Sequence, residues 1–420
     1  MFRKLVLILA VAVMGPTALS GETIRVLMGN NNWTDAAKEH IPAFEKETGI
    51  KVQLETYGNE QLSQKTAVEM TAGGGDIDVI NLRMMEESRM YVLNDWVEDL
   101  NKYVKDDAEY DIGDYSDSAL AACTVDGVLT VIPTISESAM IFYRKDVFAK
   151  HGVQPPKTFD ELEQVAAKVT DRENEFYGFV SRGQKSPMVT QLSSYVYGYG
   201  GDFFDKESGK ALLDTPEFLG AVEYYGRMLR NYGPDGVLNM SWPQGVAIFQ
   251  QGKGAMYVDC SSQYNMLMDP TKSTVAEHTG VAMFPAGPKR HRFFYVNAWG
   301  LGISSKSAKK DAAWKFIRYL TDKERTTYMQ GTQMVQCSRI SPYNNPEGMK
   351  NFPADWSQVA RDSIPFGVGH DRPEVIAVGE ARDLIGDIGV AAILNADYKK
   401  VARESNAKFQ KLLDREGFGK

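Results

Sequence analysis

Strand-like and helix-like segments alternate at the start of the chain, and this alternation restricts the possible fold more than any other feature of the sequence. The apolar runs 24–28, 50–54 and 76–82 predict three strands, and helix-like segments that stop at glycines separate them. Strands and helices in this order predict a parallel, doubly wound α/β sheet. Ligands of such sheets bind where loops leave the carboxyl ends of the strands. Here those loops are residues 29–33, 57–59 and 83–86.

Later segments continue the α/β pattern. Thr158 and Glu161 have the spacing of a capping box and predict a helix start, and Thr215 followed by Pro216 predicts another. The stretch 344–373 is rich in proline, glycine and asparagine, so we expect irregular loops there. The total length of 420 residues exceeds one ordinary compact core and predicts two domains.

The first twenty residues have the plan of a secretory signal peptide. Arg3 and Lys4 precede an apolar run over 5–14, and small residues at 18 and 20 suit cleavage after Ser20. An apolar run of this length is about half of what a membrane-spanning helix needs. No cysteine follows the run, so we expect no lipid anchor at the mature N-terminus. We therefore expect a protein that is exported to the periplasm in soluble form.

Charge and cysteine content narrow the class of protein. The formal net charge of −8 argues against a nucleic-acid-binding surface, which needs clustered lysine and arginine. The cysteines, Cys123, Cys260 and Cys337, are an odd number, so at most one disulfide can form, and the sequence leaves open whether any does. Their spacing fits no zinc site, and buried small side chains are the simpler interpretation. We expect neither a metal nor another cofactor.

Motifs of common catalytic sites are missing from the sequence. It contains no H-E-x-x-H, G-x-S-x-G or phosphate-loop pattern. Glu86 and Glu87 fit the solvated start of a helix. The carboxylate pairs of glycosidases can come from distant positions, so an exported carbohydrate-active enzyme that uses Glu137, Asp259 or another carboxylate as acid and base stays an alternative.

Aromatic and amide residues occur together in the predicted strand-end loops. Carbohydrate sites combine these residue types, because ring faces cover C–H groups while polar side chains pair with hydroxyls. Each tryptophan taken alone fits a core position as well as a ligand site. The residues concerned are Asn32, Trp33, Tyr57, Asn297 and Trp299.

Six ordered phrases of the sequence resemble family 1 extracellular solute-binding proteins of ABC transporters, from about residue 24 to 321 and more weakly to the C-terminus. These phrases are FEKETGIKVQLE from Phe44, AGGGDIDVINL from Ala72, DGVLTVIP from Asp126, MIFYRKDVFAKHGVQPPKTFDEL from Met140, FQQGKGAMYVD from Phe249 and KKDAAWKFIRYLT from Lys309. Within the family the chain is most similar to binders of sugar alcohols. This narrower resemblance is carried by ESAMIFYRKD from Glu137, YGFVSRG from Tyr177, TVAEHTGVAMFP from Thr274 and Asn297-Ala298-Trp299.

The resemblance implies an α/β fold of the periplasmic-binding-protein class, type II-like. It has two lobes, a mixed central sheet in each lobe and a ligand cleft at the hinge, whose closure excludes water and strengthens polar contacts. The implied ranges are 22–133 plus 291–337 for lobe one, 138–286 plus 342–420 for lobe two, and 133–137, 286–290 and 337–342 for the crossings between them.

The resemblance also implies the function of a periplasmic substrate-binding receptor of an ABC importer, without enzymatic activity. Such a receptor binds a small polyol or monosaccharide, works as a monomer and delivers its ligand to transmembrane permease subunits. Many sugar-binding members carry a tryptophan just after the strand that ends here at Val258, whereas this chain continues with residues 259–263, DCSSQ. The missing ring favours a small ligand rich in hydroxyls.

Ten residues match cleft positions of the family. Arg182 would donate to vicinal hydroxyls or to a carboxylate, and Asp259 would accept from two hydroxyls. Because Arg372 adds a second cation, an acidic sugar stays open as the alternative ligand. The matched residues are Asn32, Trp33, Tyr57, Asn59, Glu137, Arg182, Asp259, Asn297, Trp299 and Arg372.

Overall fold

A computed structural model describes residues 22–73, 76–105 and 107–419, with the side chains of Glu60 and Asn297 left out. The predicted signal peptide lies outside the described residues. The strands are β1 (Thr23–Gly29), β2 (Lys51–Tyr57), β3 (Val79–Leu82), β4 (Thr124–Val125), β5 (Val128–Leu129), β6 (Ile132–Arg144), β7 (Phe204–Asp205), β8 (Lys210–Ala211), β9 (Met256–Cys260), β10 (Thr279–Met283), β11 (Phe293–Ile303) and β12 (Gly367–Val368).

Helices connect and cover these strands. In chain order they are α1 (Asn32–Thr48), α2 (Asn59–Thr71), α3 (Met84–Leu93), α4 (Asn101–Lys105), α5 (Asp117–Ala122), α6 (Lys145–His151), α7 (Phe159–Val169), α8 (Met188–Gly198), α9 (Pro216–Tyr232), α10 (Trp242–Gln250), α11 (Tyr264–Leu267), α12 (Lys310–Leu320), α13 (Lys323–Gln333), α14 (Ser341–Asn344), α15 (Pro346–Met349), α16 (Ala354–Ser363), α17 (Val378–Ile393) and α18 (Tyr398–Arg415).

The predicted unit of alternating strands and helices is present at the start of the described chain. β2, β1 and β3 lie side by side in that order and are parallel. The Asn31 side chain caps α1 by accepting from the backbone N–H of Thr34 at 2.9 Å, and Gly49 ends that helix with φ of 73°. Because the cap lies at Asn31, the helix takes Asn32 and Trp33 into its first turn instead of leaving them in the predicted loop.

Two long strands, β6 with 13 residues and β11 with 11, extend the sheet beyond this unit. β11 is antiparallel to both β3 and β6, and β12 pairs in parallel with its start. β6 in turn pairs antiparallel with β9 and β10. The sheet is therefore mixed, and its hydrogen bonding is continuous from β2 to β10.

The buried apolar side chains form two hydrophobic clusters. The first cluster is built around β1, β2, β3, α1 and α12, and the second around β9, β10 and the helices α7, α8, α9, α17 and α18. Along β6 the chain passes from the first cluster to the second between Ile135 and Ala139, and along β11 it passes back between Val296 and Trp299. The lobe boundaries stay a proposal, and the clusters favour a second crossing inside β11 rather than at residues 286–290.

The stretch 344–373 is more regular than its composition predicts. It contains α15 and α16, and Trp356 of α16 is buried and stacked on Phe352, with ring centroids 4.2 Å apart. Pro346 is the first residue of α15, and Pro353 directly precedes α16. These prolines therefore mark helix starts, where a missing N–H has no partner to lose, rather than loops.

The two predicted helix caps are present, and the cysteines are unpaired. The Thr158 hydroxyl caps α7 by accepting from the backbone N–H of Glu161 at 3.2 Å, and Thr215 caps α9 in front of Pro216. All three cysteines are buried free thiols, so no disulfide links them. None of the described helices combines the length and the apolar character that crossing a bilayer requires.

Candidate functional site

A buried ion pair lies at one edge of the sheet, where two neighbouring segments end. The segment 177–182 runs alongside β9 through parallel bridges, so Arg182 and Asp259 arrive at the same edge. Nε of Arg182 donates to Oδ2 of Asp259 at 2.9 Å, and Nη2 donates to Oδ1 at 2.5 Å. The two residues are 8% and 0% exposed. This is a bidentate pair that is almost wholly withdrawn from water.

Neighbouring groups hold the pair in place. The side-chain amide of Gln191 donates to Oδ1 of Asp259 at 3.1 Å, and the backbone N–H of Cys260 donates to the same oxygen at 2.7 Å. Burial lowers the pKa of Arg182, but the adjacent Asp259 carboxylate outweighs burial and holds that pKa well above its ordinary value. None of the described residues hydrogen-bonds Nη1 of Arg182, so this nitrogen can donate to a ligand.

Glu137 belongs to the same charged cluster. It lies on β6, the strand that pairs with β9, and it is half-buried. Burial raises the pKa of its carboxyl, while a hydrogen bond from Ser262 and the charge of Arg182 act in the opposite direction. The carboxyl of Glu137 is therefore protonated more readily than an exposed glutamate.

Arg372 joins the cluster from the segment between β12 and α17. Nε and Nη2 each donate to a carboxylate oxygen of Asp371 at 2.7 Å, and Nη1 donates to Oε1 of Glu86, also at 2.7 Å. Nη2 lies 3.3 Å from Oγ1 of Thr190 in α8. Glu86 lies in α3, directly after β3, whereas Thr190 belongs to the second-cluster side. The Arg372–Glu86 ion pair therefore bridges the two halves of the molecule.

Glu86 and Glu87 lie in the first turn of α3, which confirms the predicted helix start, but the expectation that both are solvated is wrong for Glu87. Glu87 is 6% exposed, accepts a hydrogen bond from the Ser63 hydroxyl, and accepts from the backbone N–H of Arg83 at 2.8 Å. Glu86 pairs with Nη1 of Arg83 at 2.5 Å as well as with Arg372. Both carboxylates are therefore committed to contacts at the carboxyl end of β3.

Arg382 of α17 completes the charged cluster. Its Nε and Nη2 donate to the backbone carbonyl of Ser186 at 3.2 and 2.9 Å. Burial and the charge of Arg372 lower the pKa of Arg382 to about 10. Carboxyl groups balance the guanidinium groups, so the cluster carries no surplus of positive charge. Its members are Arg83, Arg182, Arg372, Arg382, Glu86, Glu87, Glu137, Asp259 and Asp371.

A cavity of about 360 Å³ adjoins the cluster. Glu86 and Arg89 of α3 line it on one side, and Glu374 and Phe418 line it on the other. Its volume falls in the range of small-molecule sites. None of the predicted site residues that the structure describes lines this cavity, and Glu86 connects it to the cluster through Arg372.

Both predicted cleft tryptophans are packed as core residues. Trp33 is 1% exposed within the first hydrophobic cluster. Trp299 is 8% exposed, and its ring lies so close to Gly29 that a Cβ atom there would come within 2.8 Å of Cη2. Gly29 thus permits this close approach at the end of β1. A ligand contact of either ring stays a prediction.

The other predicted residues near the first sheet have different surroundings. The Tyr57 hydroxyl donates to Glu55 at 2.5 Å. Asn32 and Asn59 are exposed first residues of α1 and α2. The side chain of Asn297 lies outside the described part of the structure. The structure therefore brings together only the predicted residues of the charged cluster.

Several members of the site were missed by the sequence reasoning. Asp371 adjoins a predicted residue, and Gln191 lies in α8, every residue of which is buried. Amide and hydroxyl side chains in such a helix are a usable signal, because buried polar groups need partners. Glu86 offered no such signal, since its partner is 286 positions away in the sequence.

Comparison with known proteins agrees with this architecture. Residues 30–326 match the family described as bacterial extracellular solute-binding protein. The mannitol-binding protein of Pseudomonas aeruginosa is 26% identical over 314 residues, which cover 72% of this chain and 70% of that protein. An ABC-transporter solute-binding protein of Agrobacterium vitis S4, solved with bound D-mannitol, is 26% identical with a TM-score of 0.75, over 95% of this chain and 100% of that chain. Another, from Agrobacterium radiobacter K84 in complex with ribitol, is 26% identical with a TM-score of 0.78, over 94% and 99%.

Proposed function

This chain belongs to the bacterial extracellular solute-binding proteins, and from that membership we propose that it is the receptor of an ABC importer for a small neutral polyol or monosaccharide. Its fold is the two-lobed fold of the solved relatives, with the first hydrophobic cluster in lobe one and the second in lobe two. The relatives bind mannitol and ribitol, which supports a polyol as the ligand class. Binding between the lobes and closure at β6 and β11 would deliver the ligand to permease subunits.

The observation that carries the ligand class is the pairing of the cleft arginines with carboxylates. Arg182 is bidentate on Asp259, and Arg372 is held by Asp371 and Glu86. An acidic sugar could reach only Nη1 of Arg182 without displacing one of these carboxylates, and there its own carboxylate would still face the negative charge of Asp259. At Arg372 it would have to displace Asp371 or Glu86, which leaves the displaced carboxylate without its countercharge. Neutral hydroxyls can accept from remaining N–H groups and donate to carboxylate oxygens without any displacement. A neutral ligand is therefore favoured over the acidic alternative.

The same geometry disfavours a carbohydrate-active enzyme. Asp259 is 0% exposed and its oxygens are occupied by Arg182, Gln191 and a backbone N–H. A catalytic carboxyl must reach the glycosidic oxygen or a water molecule, and glycosidases need two such groups. The other cluster carboxylates Glu86 and Asp371 are paired with arginines as well, so among these described groups Glu137 has no unpaired carboxylate as a partner.

Export and assembly complete the proposal. The chain would be exported by a signal peptide cleaved after Ser20 and would act in the periplasm as a monomer that binds no nucleic acid. The ten residues matched from the family stay the proposed contact set. Those of the charged cluster have the strongest support, because the structure places them within bonding or electrostatic reach of one another.

Ligand-dependent melting of protein purified from the periplasm tests the function, and the intact mass of that protein checks the cleavage position. The panel contains D-mannitol, ribitol, monosaccharides, and the matching aldonates and uronates. A ligand at a hundredfold excess over its Kd should add about 2.7 kcal/mol to the free energy of unfolding. Labelled ligand should be recovered unchanged. Turnover of any glycoside, or no shift with every neutral compound, would contradict the proposal.

A further inference from the structure

We propose that Glu86 makes the cleft selective against anionic ligands, because it cancels the charge of Arg372 from the opposite lobe. The proposal rests on the proposed receptor function and adds a specificity-determining residue to it. Glu86 is not among the residues matched to the family above, and its ion pair with Arg372 connects it to the predicted site residues.

The nitrogens of Arg372 are all occupied, but by carboxylates of different origin. Asp371 directly precedes Arg372 in the sequence, so it accompanies Arg372 in any movement of lobe two. The residue Asp371 is 1% exposed. Glu86 comes from α3 of lobe one and occupies Nη1 alone. A ligand that enters between the lobes therefore competes with the Glu86 carboxylate for Nη1 of Arg372.

Glu86 is also shared between two cations. Its Oε2 pairs with Arg83 at 2.5 Å and its Oε1 pairs with Arg372 at 2.7 Å. Removing this single negative charge therefore leaves two guanidinium groups with one partner fewer. The carboxylate of an acidic sugar has the charge and shape to take the place that the Glu86 carboxylate holds between them.

The place held by Glu86 can be reached by a ligand. Glu86 lines the cavity of about 360 Å³ between the lobes, so its side chain faces open space on one side and Arg372 on the other. With Glu86 present, an anion entering the cavity meets a fixed carboxylate, and like charges at such a contact repel each other. A neutral polyol does not meet this repulsion.

The experiment compares Glu86→Gln with a matched control, Glu207→Gln. Glu207 is exposed and lines the same cavity, so its substitution removes the same charge without touching the Arg372 pair. Calorimetry measures the affinity of each protein for D-mannitol and ribitol and for the corresponding aldonates. In Glu86→Gln the ratio of aldonate to polyol affinity should rise by about tenfold or more, and in Glu207→Gln it should stay within about twofold. A general effect on lobe closure changes both affinities alike and cancels in the ratio.

The outcomes separate this inference from the proposed function. A ratio that rises by less than about threefold in Glu86→Gln, or equally in both variants, overturns the role of Glu86. A wild-type protein that prefers aldonates overturns it as well. If the wild-type protein binds no compound but Glu86→Gln binds an aldonate, the role of Glu86 stands and the proposed ligand class fails.

Discussion

The two sides of the cleft hold their predicted residues in different ways. On the lobe-two side, Arg182 and Asp259 are buried, Arg372 is half-buried, and all three are charged and bonded to one another or to immediate neighbours. On the lobe-one side, Trp33 and Trp299 are packed into the hydrophobic cluster instead. A buried charge must have a partner within a few ångströms, whereas the carbon faces of a buried tryptophan ring pack against any apolar neighbours and only its N–H seeks an acceptor. Charged residues therefore identify a site more reliably than aromatic ones.

The lobe-one contribution that the structure does show is itself charged. Glu86 reaches Arg372 across the cleft, while the lobe-one tryptophans serve the core. This difference gives a simple expectation for substitutions. Changes on the lobe-two side should affect ligand binding and stability together, and changes of the lobe-one rings should affect stability more than ligand binding.

The largest effect is expected from breaking the buried pair with Arg182→Met. The variant leaves the Asp259 carboxylate buried without a countercharge, which should lower the free energy of unfolding by about 3–5 kcal/mol. Ligand-induced stabilisation should disappear as well. Denaturant unfolding with and without ligand measures both quantities.

A double variant separates the two effects of that substitution. Arg182→Met combined with Asp259→Leu removes both charges, so most of the lost stability should return, since apolar replacements of buried pairs are often neutral. Ligand binding should stay absent. If the double variant binds polyols with wild-type affinity, the pair lies outside the site and the comparison of the two sides fails.

An intermediate effect is expected for Trp33→Phe on the lobe-one side. The smaller ring leaves space in the core, so the free energy of unfolding should fall by about 1–3 kcal/mol. The ligand-induced shift in the melting temperature should persist. Trp242→Phe is the matched control, because Trp242 is 40% exposed and its substitution should change neither quantity. Loss of the ligand shift without loss of stability would show that Trp33 matters more as a ligand contact than as a core residue, which contradicts the comparison of the two sides.

The sequence predicted the parts of the fold that depend on neighbouring residues. Apolar runs and glycine stops located β1, β2 and β3, and Thr158 and Thr215 located two helix starts. The family resemblance implied a second crossing at residues 286–290, yet the hydrophobic clusters favour a crossing inside β11. β11 continues from one core into the other, and its register against β6 shifts at residues 297–300. Such an irregularity arises from the pairing of two strands, so the residues of one strand do not reveal it.

The site residues show the same difference between what neighbouring residues predict and what depends on tertiary structure. The resemblance supplied Arg182 and Asp259, whose pairing follows from the adjacency of their segments. It did not supply Glu86, because its contact with Arg372 depends on how the two lobes meet. Contacts between lobes depend on tertiary structure, which no local pattern encodes.

The smallest expected effects on stability come from one histidine in each lobe. In lobe two, Nε2 of His370 lies 3.0 Å from Oδ1 of Asp202. Burial lowers the pKa of His370, but Asp202 and then Glu374 outweigh burial and raise that pKa above its ordinary value, against a small opposing effect of Lys206. In lobe one, burial and then the charge of Arg325 lower the pKa of His40, despite nearby acidic groups.

These opposite shifts predict opposite pH dependences. The raised pKa of His370 stabilises the fold at pH values below the unfolded-state pKa of about 6.5, and this contribution is lost as pH rises through the folded-state pKa. The lowered pKa of His40 stabilises the fold above about pH 6.5, and this contribution is lost as pH falls through its folded-state pKa. His370→Gln should therefore make the free energy of unfolding rise more steeply, or fall less, with pH between about 5 and 8, and His40→Gln should do the reverse. Chemical denaturation across that range, with both variants beside the wild-type protein, measures the slopes. Equal changes of slope in the two variants would show that the charged surroundings of lobe two do not distinguish its histidine from the one in lobe one.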